Sequence, residues 1–303
     1  MIKRTLYFGN PVYLHLDKKQ LVVDTRDIPS VRREIPVEDI GIVIIDHYQV
    51  SVSHAVTNAL INNNVAILWC DDKHLPNGLV LPMTANHTYT EKLRYQIDAS
   101  LPLKKQLWRQ TIQAKIHNQG LLLKSMGKDA APLFRWCNKV RSGDPDNYEA
   151  QAAAWYWERL FESESGFARE RYGDPPNHLL NYGYAILRSV VARSLVGSGM
   201  LPAIGIFHRN KYNPFCLADD VMEPYRPYVD RLVYDIWVRY GEDIPDELTL
   251  ELKKELLQIP VIDVIIQGRR SPLMVGMQRT TASLMQCFEG LERKIRYPQM
   301  EVS

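Results

Sequence analysis

Between Gly205 and Pro227 the chain reads GIFHRNKYNPFCLADDVMEPYRP. A histidine, two adjacent aspartates and a glutamate fall within the sixteen positions from His208 to Glu223, and Arg209, Lys211 and Arg226 lie among or just beyond them. In a helix Asp219, Asp220 and Glu223, three or four residues apart, share one face. Two carboxylates and an imidazole that converge suit Mg²⁺ or Mn²⁺, hard ions that take oxygen ligands with an occasional nitrogen. The neighbouring cations suit a phosphodiester. Pro224 and Pro227 leave the carbonyls of Asp220 and Glu223 without an N–H partner, which predicts a bend at that point. The same spacing also describes a solvated helix face carrying surface charges, and both readings stay open on this segment alone.

A second carboxylate shifts the balance. The segment DPDNYEAQAAAWYWERL, residues 144–160, predicts a helix capped by Asp144 with Pro145 in its first turn. Helical steps from Glu149 meet Ala152, Ala153, Tyr156 and Leu160, which is the apolar face. A carboxylate there is costly unless it is paired, hydrogen-bonded or bound to a metal. The alternative places Glu149 in the first turn, half solvated and favoured by the helix dipole.

Three blocks then carry a resemblance. The run LLNYGYAILRSVVARSLVGSGMLPAIGIFHRNKYNPFCLADDVMEPYRPYVD, residues 179–230, resembles the signature of the CRISPR-associated adaptation integrases, the metal-dependent nucleases of spacer acquisition. YEAQAAAWYW resembles the family's first active-site block, a glutamate followed by small and aromatic residues. SPLMVGMQRTTASLMQCFEGLERKIRYP resembles the C-terminal region of members from type II systems. The match spans most of the chain from Glu149 onward and is more diffuse before it.

The resemblance implies that Glu149, His208 and Glu223 are the metal ligands and that Asp220 is an ancillary acidic residue of the catalytic set. Asp219 departs from the family pattern, in which a small or apolar residue precedes the aspartate. The implied reaction joins the 3′-hydroxyl of a short captured DNA to a repeat boundary in a CRISPR array, a transesterification without a high-energy cofactor. The bound ion would polarise the scissile phosphate and favour deprotonation of the attacking hydroxyl, and nearby arginine and lysine would offset phosphate charge. The implied partners are captured and repeat DNA, a second copy of the chain, and a small second adaptation protein bridging two dimers. Other type II adaptation and effector proteins are further candidates. Arg209, Lys211 and Arg226 are the candidate phosphate contacts, joined by Arg188 and Tyr182 just upstream of the site.

Composition sets limits on these readings. The chain has 303 residues, 46% hydrophobic and 24% charged, which fits a folded protein with a substantial core and two domains. The formal charge is +2, from 37 Lys and Arg against 35 Asp and Glu, so DNA binding must come from local basic patches. Arg209 with Lys211, Arg269 with Arg270, and Lys104, Lys105 and Arg109 are such patches. The cysteines at 70, 137, 216 and 287 form no C-x-x-C pair, which argues against a zinc knuckle and for reduced thiols in a cytoplasmic protein. MIKRTLYFGN turns polar too soon for a signal peptide, and no apolar run reaches the length of a membrane span. There is no G-x-S-x-G elbow, and GSGM after Val196 lacks the Lys-Ser/Thr of a phosphate loop.

The elements that position the site divide in two. RTLYFG, VYLHL, QLVVDT, IGIVII and VAILWC read as strands, LDKKQLVV as a hairpin with a tight polar turn, and His54 to Asn62 as a helix. From about residue 88 the chain reads as helices: residues 101–126, 179–196, 228–240, 251–257 and a long segment over 271–294. The expected class is α+β, with a small sandwich-like β domain over 1–88 for dimerisation and partner docking, then an all-α catalytic domain over 89–303. Trp155 and Trp157 read as core or interface residues. Two other functions remain: a metal-dependent nuclease that only cuts DNA, and a non-catalytic DNA-binding subunit with a structural acidic cluster.

Overall fold

Two adjacent lysines make the first tight turn. Lys18 and Lys19 both take left-handed φ, 44° and 65°, the twist that joins antiparallel strands through a two-residue loop. The computed structural model describes residues 3–25, 31–72, 74–83, 86–161, 167–170 and 173–301. They form two compact units, Met1–His87 and Thr88–Ser303.

The first unit runs β1 (Arg4–Phe8), β2 (Val12–Asp17), β3 (Gln20–Thr25), β4 (Arg32–Pro36), β5 (Ile40–Ile45), β6 (Ser51–Val52), α1 (His54–Asn62), β7 (Ala66–Cys70) and β8 (Pro76–Val80). One sheet has the order β1-β5-β7-β8 and the other β4-β3-β2-β6. β5 pairs in parallel with β1 and β7, and every residue of its IGIVII run is buried, as expected of a central parallel strand. Phe8, Val43, Ile45 and Ile67 of the first sheet, Leu14, Leu21 and Val23 of the second, and Val56 and Leu60 of α1 form one buried cluster. α1 is capped by Ser53, whose hydroxyl accepts the N–H of Val56 at 3.4 Å. β4 escapes the sequence reading because RREIP shows no apolar alternation. It pairs on one side with β3 and lies at the sheet edge, where exposed charge is favoured.

The second unit runs α2 (Tyr89–Asp98), α3 (Leu101–Ser125), α4 (Ala131–Lys139), α5 (Tyr148–Leu160), α6 (Asn177–Gly197), α7 (Cys216–Met222), α8 (Arg226–Tyr240), α9 (Leu250–Leu256), β9 (Asp263–Ile266), β10 (Arg269–Pro272) and α10 (Leu273–Phe288). α3 is the axis of the site: it touches α4, α5, α7, α8 and the 3₁₀ turn Glu223–Tyr225. That turn separates α7 from α8 at the prolines, which supply the expected break.

The helical unit is not all-α. The expected helix over 271–294 is shorter, and a β9–β10 hairpin precedes it. Gln267 and Gly268, at φ 51° and 71°, make its turn, and Pro272 in extended conformation stands as the residue before α10. The turn lacks the Asn-Gly or Asp-Gly pair that marks such hairpins in a sequence, and the apolar periodicity of the region masks it. All four cysteines are free thiols. Among the described residues no helix is long and apolar enough to cross a membrane.

Candidate active site

Glu149 enters the site from the first turn of α5. The helix starts later than the sequence suggests, at Tyr148, so Pro145 precedes it. Asp144 still caps it. Its carboxylate accepts the N–H of Tyr148 at 3.0 Å and of Glu149 at 2.9 Å, with Asn147 turned through a left-handed conformation. Glu149 is thus both in the first turn and paired, its side chain 23% exposed, with Oε1 2.7 Å from Nζ of Lys115 on α3.

The same ammonium lies 2.7 Å from Oε2 of Glu223, which is 5% exposed. One cation therefore bridges carboxylates that are far apart in sequence. On the other side of Glu223, Nε of Arg226 lies 3.0 Å from Oε1. Burial works against ionising Glu223, but Arg226 and Lys115 outweigh it and hold the carboxyl below its ordinary range. Burial likewise opposes the charge on Lys115, and Glu223 and Glu149 reverse that and raise it. Each charge in this cluster has an opposite partner.

His208 sits on the irregular segment before α7, and Asp220 anchors that segment. The Asp220 carboxylate is buried and accepts the N–H groups of Ile206 at 2.7 Å, Phe207 at 2.9 Å and His208 at 3.2 Å, as well as Nδ1 of His208 at 2.5 Å. Gly205 permits this wrap: a Cβ there would stand 2.4 Å from the carbonyl oxygen of His208 and 2.8 Å from Asp220 Oδ2. The hydrogen bond to Asp220 raises the His208 pKa against the opposing effect of burial, and Glu223 and Glu149 raise it further. With Nδ1 engaged, Nε2 is the nitrogen left for a ligand, the arrangement in which a carboxylate orients a metal-binding histidine.

Among the described residues no three His, Cys, Asp or Glu side chains stand close enough to hold an ion as they are placed. The Lys115 ammonium fills the position between Glu149 and Glu223 instead. The donor chemistry nevertheless fits Mg²⁺ or Mn²⁺. Two carboxylates already share one cation, and a backed imidazole feels both charges.

The remaining sequence candidates separate. Asp219 turns away from the pair, bound by Nε of Arg188 at 2.7 Å and by Asn213 at 2.7 Å, so Asp220 is the aspartate that serves His208. Arg188 keeps 40% of its side chain exposed beside that ion pair. Arg209 and Lys211 are exposed with no carboxylate partner among the described residues. Two expected DNA contacts need correction. Tyr182 is fully buried in α6, out of reach of a phosphate backbone. Arg226 is committed to Glu223 and packs its guanidinium 4.6 Å from the Tyr184 ring centroid, so it is a structural cation of the site.

Sequence reasoning passed over Lys115. A signal was present: it stands in the stripe of Trp108, Ile112, Gln119 and Leu122, all buried on α3, where a lysine needs a counter-ion. Asp230 is a further buried carboxylate of this unit. It accepts the hydroxyl of Tyr156 at 2.7 Å and also that of Tyr184, and burial pushes its carboxyl up to about 6.

A strand-rich unit followed by a helical unit, with an acid–histidine site gathered around α3, defines a two-unit α+β protein. Residues 6–241 match the family described as CRISPR associated protein Cas1, and the chain belongs to that family. It is 35% identical over 285 residues to the CRISPR-associated endonuclease Cas1 of Neisseria meningitidis serogroup C (strain 8013), covering 93% of this chain and 91% of the relative. Among solved structures it resembles a casposase bound to integration product, with a TM-score of 0.80 at 19% identity over 100% of this chain and 95% of the other. It also resembles a chain of a Cas6-RT-Cas1–Cas2 complex, with a TM-score of 0.75 at 17% identity, covering 99% of this chain and 36% of that one. At such identities these two likenesses concern the fold.

Proposed function

We propose that this protein is a metal-dependent DNA integrase of CRISPR adaptation, which joins the 3′-hydroxyl ends of captured DNA to the repeat boundaries of a CRISPR array. The observation that carries this reading is the Lys115 ammonium shared at 2.7 Å by Glu149 and Glu223, in a member of the Cas1 family. Two carboxylates held around one cation, with His208 oriented by Asp220, form a donor set for a hard divalent ion.

Glu149, Glu223 and Nε2 of His208 would hold Mg²⁺ or Mn²⁺. When bound, the ion supplies Lewis-acid polarisation of a phosphate and a lower pKa for a coordinated hydroxyl. Arg209 and Lys211 bind phosphates by charge and register the strand. Asp220 keeps the His208 ring turned so that Nε2 faces outward. In the joining step the 3′ oxygen of the captured DNA forms a bond to the phosphorus at the repeat boundary, and the 3′ oxygen of the array strand leaves. One phosphodiester is made for one broken, so no external energy source is required.

The partners proposed are DNA, a second copy of the chain through the strand-rich first unit, and a small second adaptation protein. The last is supported by the Cas2 named in a complex with a structurally similar chain. A homodimer formed this way would be isologous, and light scattering at micromolar concentration measures it.

The deciding experiment incubates the protein with Mg²⁺ or Mn²⁺, an array substrate and short labelled DNA ending in either a 3′-hydroxyl or a 3′-deoxy nucleotide. Joined product from the hydroxyl alone supports an integrase. Cleavage without joining makes the protein a general nuclease. DNA binding with neither reaction makes it a non-catalytic subunit and the acidic cluster structural.

A further inference from the structure

We infer that Phe207 is a stacking platform for a nucleobase of the DNA strand whose phosphate lies at His208, an inference that rests on the DNA reading above. Phe207 immediately precedes His208 and is 45% exposed. Its ring lies flat on Trp108 of α3, with centroids 4.2 Å apart and planes 1° from parallel. Trp108 is 1% exposed, so it covers one face of Phe207 while the other side of the ring meets solvent. The Phe207 ring also stands edge-on to the His208 imidazole, centroids 5.5 Å apart at 87°.

Single exposed aromatic rings are ordinary on protein surfaces. This one is distinguished by how it is held. Its backbone N–H bonds Oδ2 of Asp220 at 2.9 Å, and the same carboxylate fixes the His208 ring through Oδ1. Platform and candidate ligand therefore share one anchor and keep a constant relation to each other. Trp108 is a costly choice for a core position, because its indole N–H is buried with no hydrogen-bond partner. Its flat area beneath Phe207 is what a leucine or alanine would lose.

The occupant is a nucleobase. Arg209 and Lys211, both exposed, follow Phe207 by two and four positions. A bare aromatic face beside a run of cations is the combination by which proteins hold single-stranded nucleic acid, with bases on the ring and phosphates on the charges. Such stacking tolerates every base, so the platform sets the position of the strand and is indifferent to its sequence.

The test places the fluorescent base 2-aminopurine at successive positions from the reactive 3′ end of a tailed DNA duplex and titrates it with the full chain, without divalent ions and again with Mg²⁺. The expected result is strong quenching at one or two adjacent positions by the unaltered protein. Phe207→Leu should abolish that quenching and weaken binding of the tailed DNA by roughly fivefold to a hundredfold. Phe207→Trp should restore both, which controls for simple misfolding of the loop. Quenching at no position, or an unchanged pattern in Phe207→Leu, overturns the inference even if the protein joins DNA normally. Quenching that depends on Phe207 in a protein that joins no DNA would uphold the platform and sink the integrase reading, so the two fail separately.

Discussion

Nδ1 of His208 stands 2.5 Å from Oδ1 of Asp220, and the backbone N–H of His208 donates to that same oxygen at 3.2 Å. The hydrogen bond raises the histidine pKa above its ordinary 6.5. In the metal-free protein this pairing therefore contributes stability below pH 6.5, as far down as the Asp220 carboxyl, itself raised by burial, stays ionised, and loses it as pH rises through the raised folded value of His208. Ion binding needs the neutral ring and runs the other way. Mn²⁺ affinity measured by calorimetry should climb as pH increases above about 6.5, while the melting temperature without metal declines over the same range. His208→Asn should flatten both trends, and a persisting slope in that variant would show that another group controls them.

Lys115 holds Glu149 and Glu223 together in the absence of a divalent ion. Lys115→Met leaves two carboxylates facing each other without their shared cation, and loss of one partner from such a buried group costs about 3–5 kcal/mol. The variant should melt well below the unaltered protein in chelator. Mn²⁺ should raise its melting temperature by more than it raises that of the unaltered chain, because no ammonium has to be displaced. Equal Mn²⁺ stabilisation in both proteins would mean the ion binds elsewhere.

Glu149→Gln and Glu223→Gln should each abolish DNA joining. They should differ in stability, since Glu223 is 5% exposed between two cations and Glu149 is 23% exposed on one. Thermal melts should show the larger loss for Glu223→Gln. Asp220→Asn should also abolish joining, by releasing His208 and its loop. Asp219→Asn should retain most joining, because that side chain serves Arg188 and Asn213. Normal joining by either glutamine variant would remove that residue from the ligand set.

Replacing both Arg209 and Lys211 with glutamine should flatten the dependence of log affinity on log salt by about two units, one for each lost phosphate contact. The loss should be the same for every DNA sequence tested. Tyr182→Phe should leave the slope unchanged, since the ring is buried. An unaltered slope in the double variant would send the DNA path elsewhere, with Arg269 and Arg270 next.

Asp230 lies buried between the hydroxyls of Tyr156 and Tyr184, and burial lifts its pKa from 3.8 to about 6. A raised carboxyl stabilises the fold when protonated, so its contribution is greatest below pH 3.8 and is lost as pH rises to about 6. Asp230→Asn should remove that part of the pH dependence. Urea midpoints at pH 4 and pH 7 measure it, and a parallel shift at both would contradict the assignment.

Strands β1, β2, β3, β5 and β7 of the first unit, the helix His54–Asn62 and the start of the helical unit were legible in the sequence because each depends on local periodicity and turn chemistry, whereas β6 and β8 were not read. The charged edge strand β4 and the β9–β10 hairpin were not, since a sheet edge and a two-residue turn leave little periodic trace. The residue types of the site were legible too. Glu149 and the His208–Glu223 cluster could be read as paired buried charge or as solvated carboxylates, and the resemblance ordered them. The partners of those charges came only from the tertiary structure. Spacing put Asp219, Asp220 and Glu223 on one helix face, yet packing sent Asp219 to Arg188, Asp220 to His208 and Glu223 to Lys115. Tyr182 and Arg226 looked available for DNA until burial claimed the one and Glu223 the other. A buried charge takes the nearest opposite charge or polar group whatever its distance along the chain. That choice is made by helices crossing in space, and α3, whose lysine joins two distant glutamates, is where it was made here.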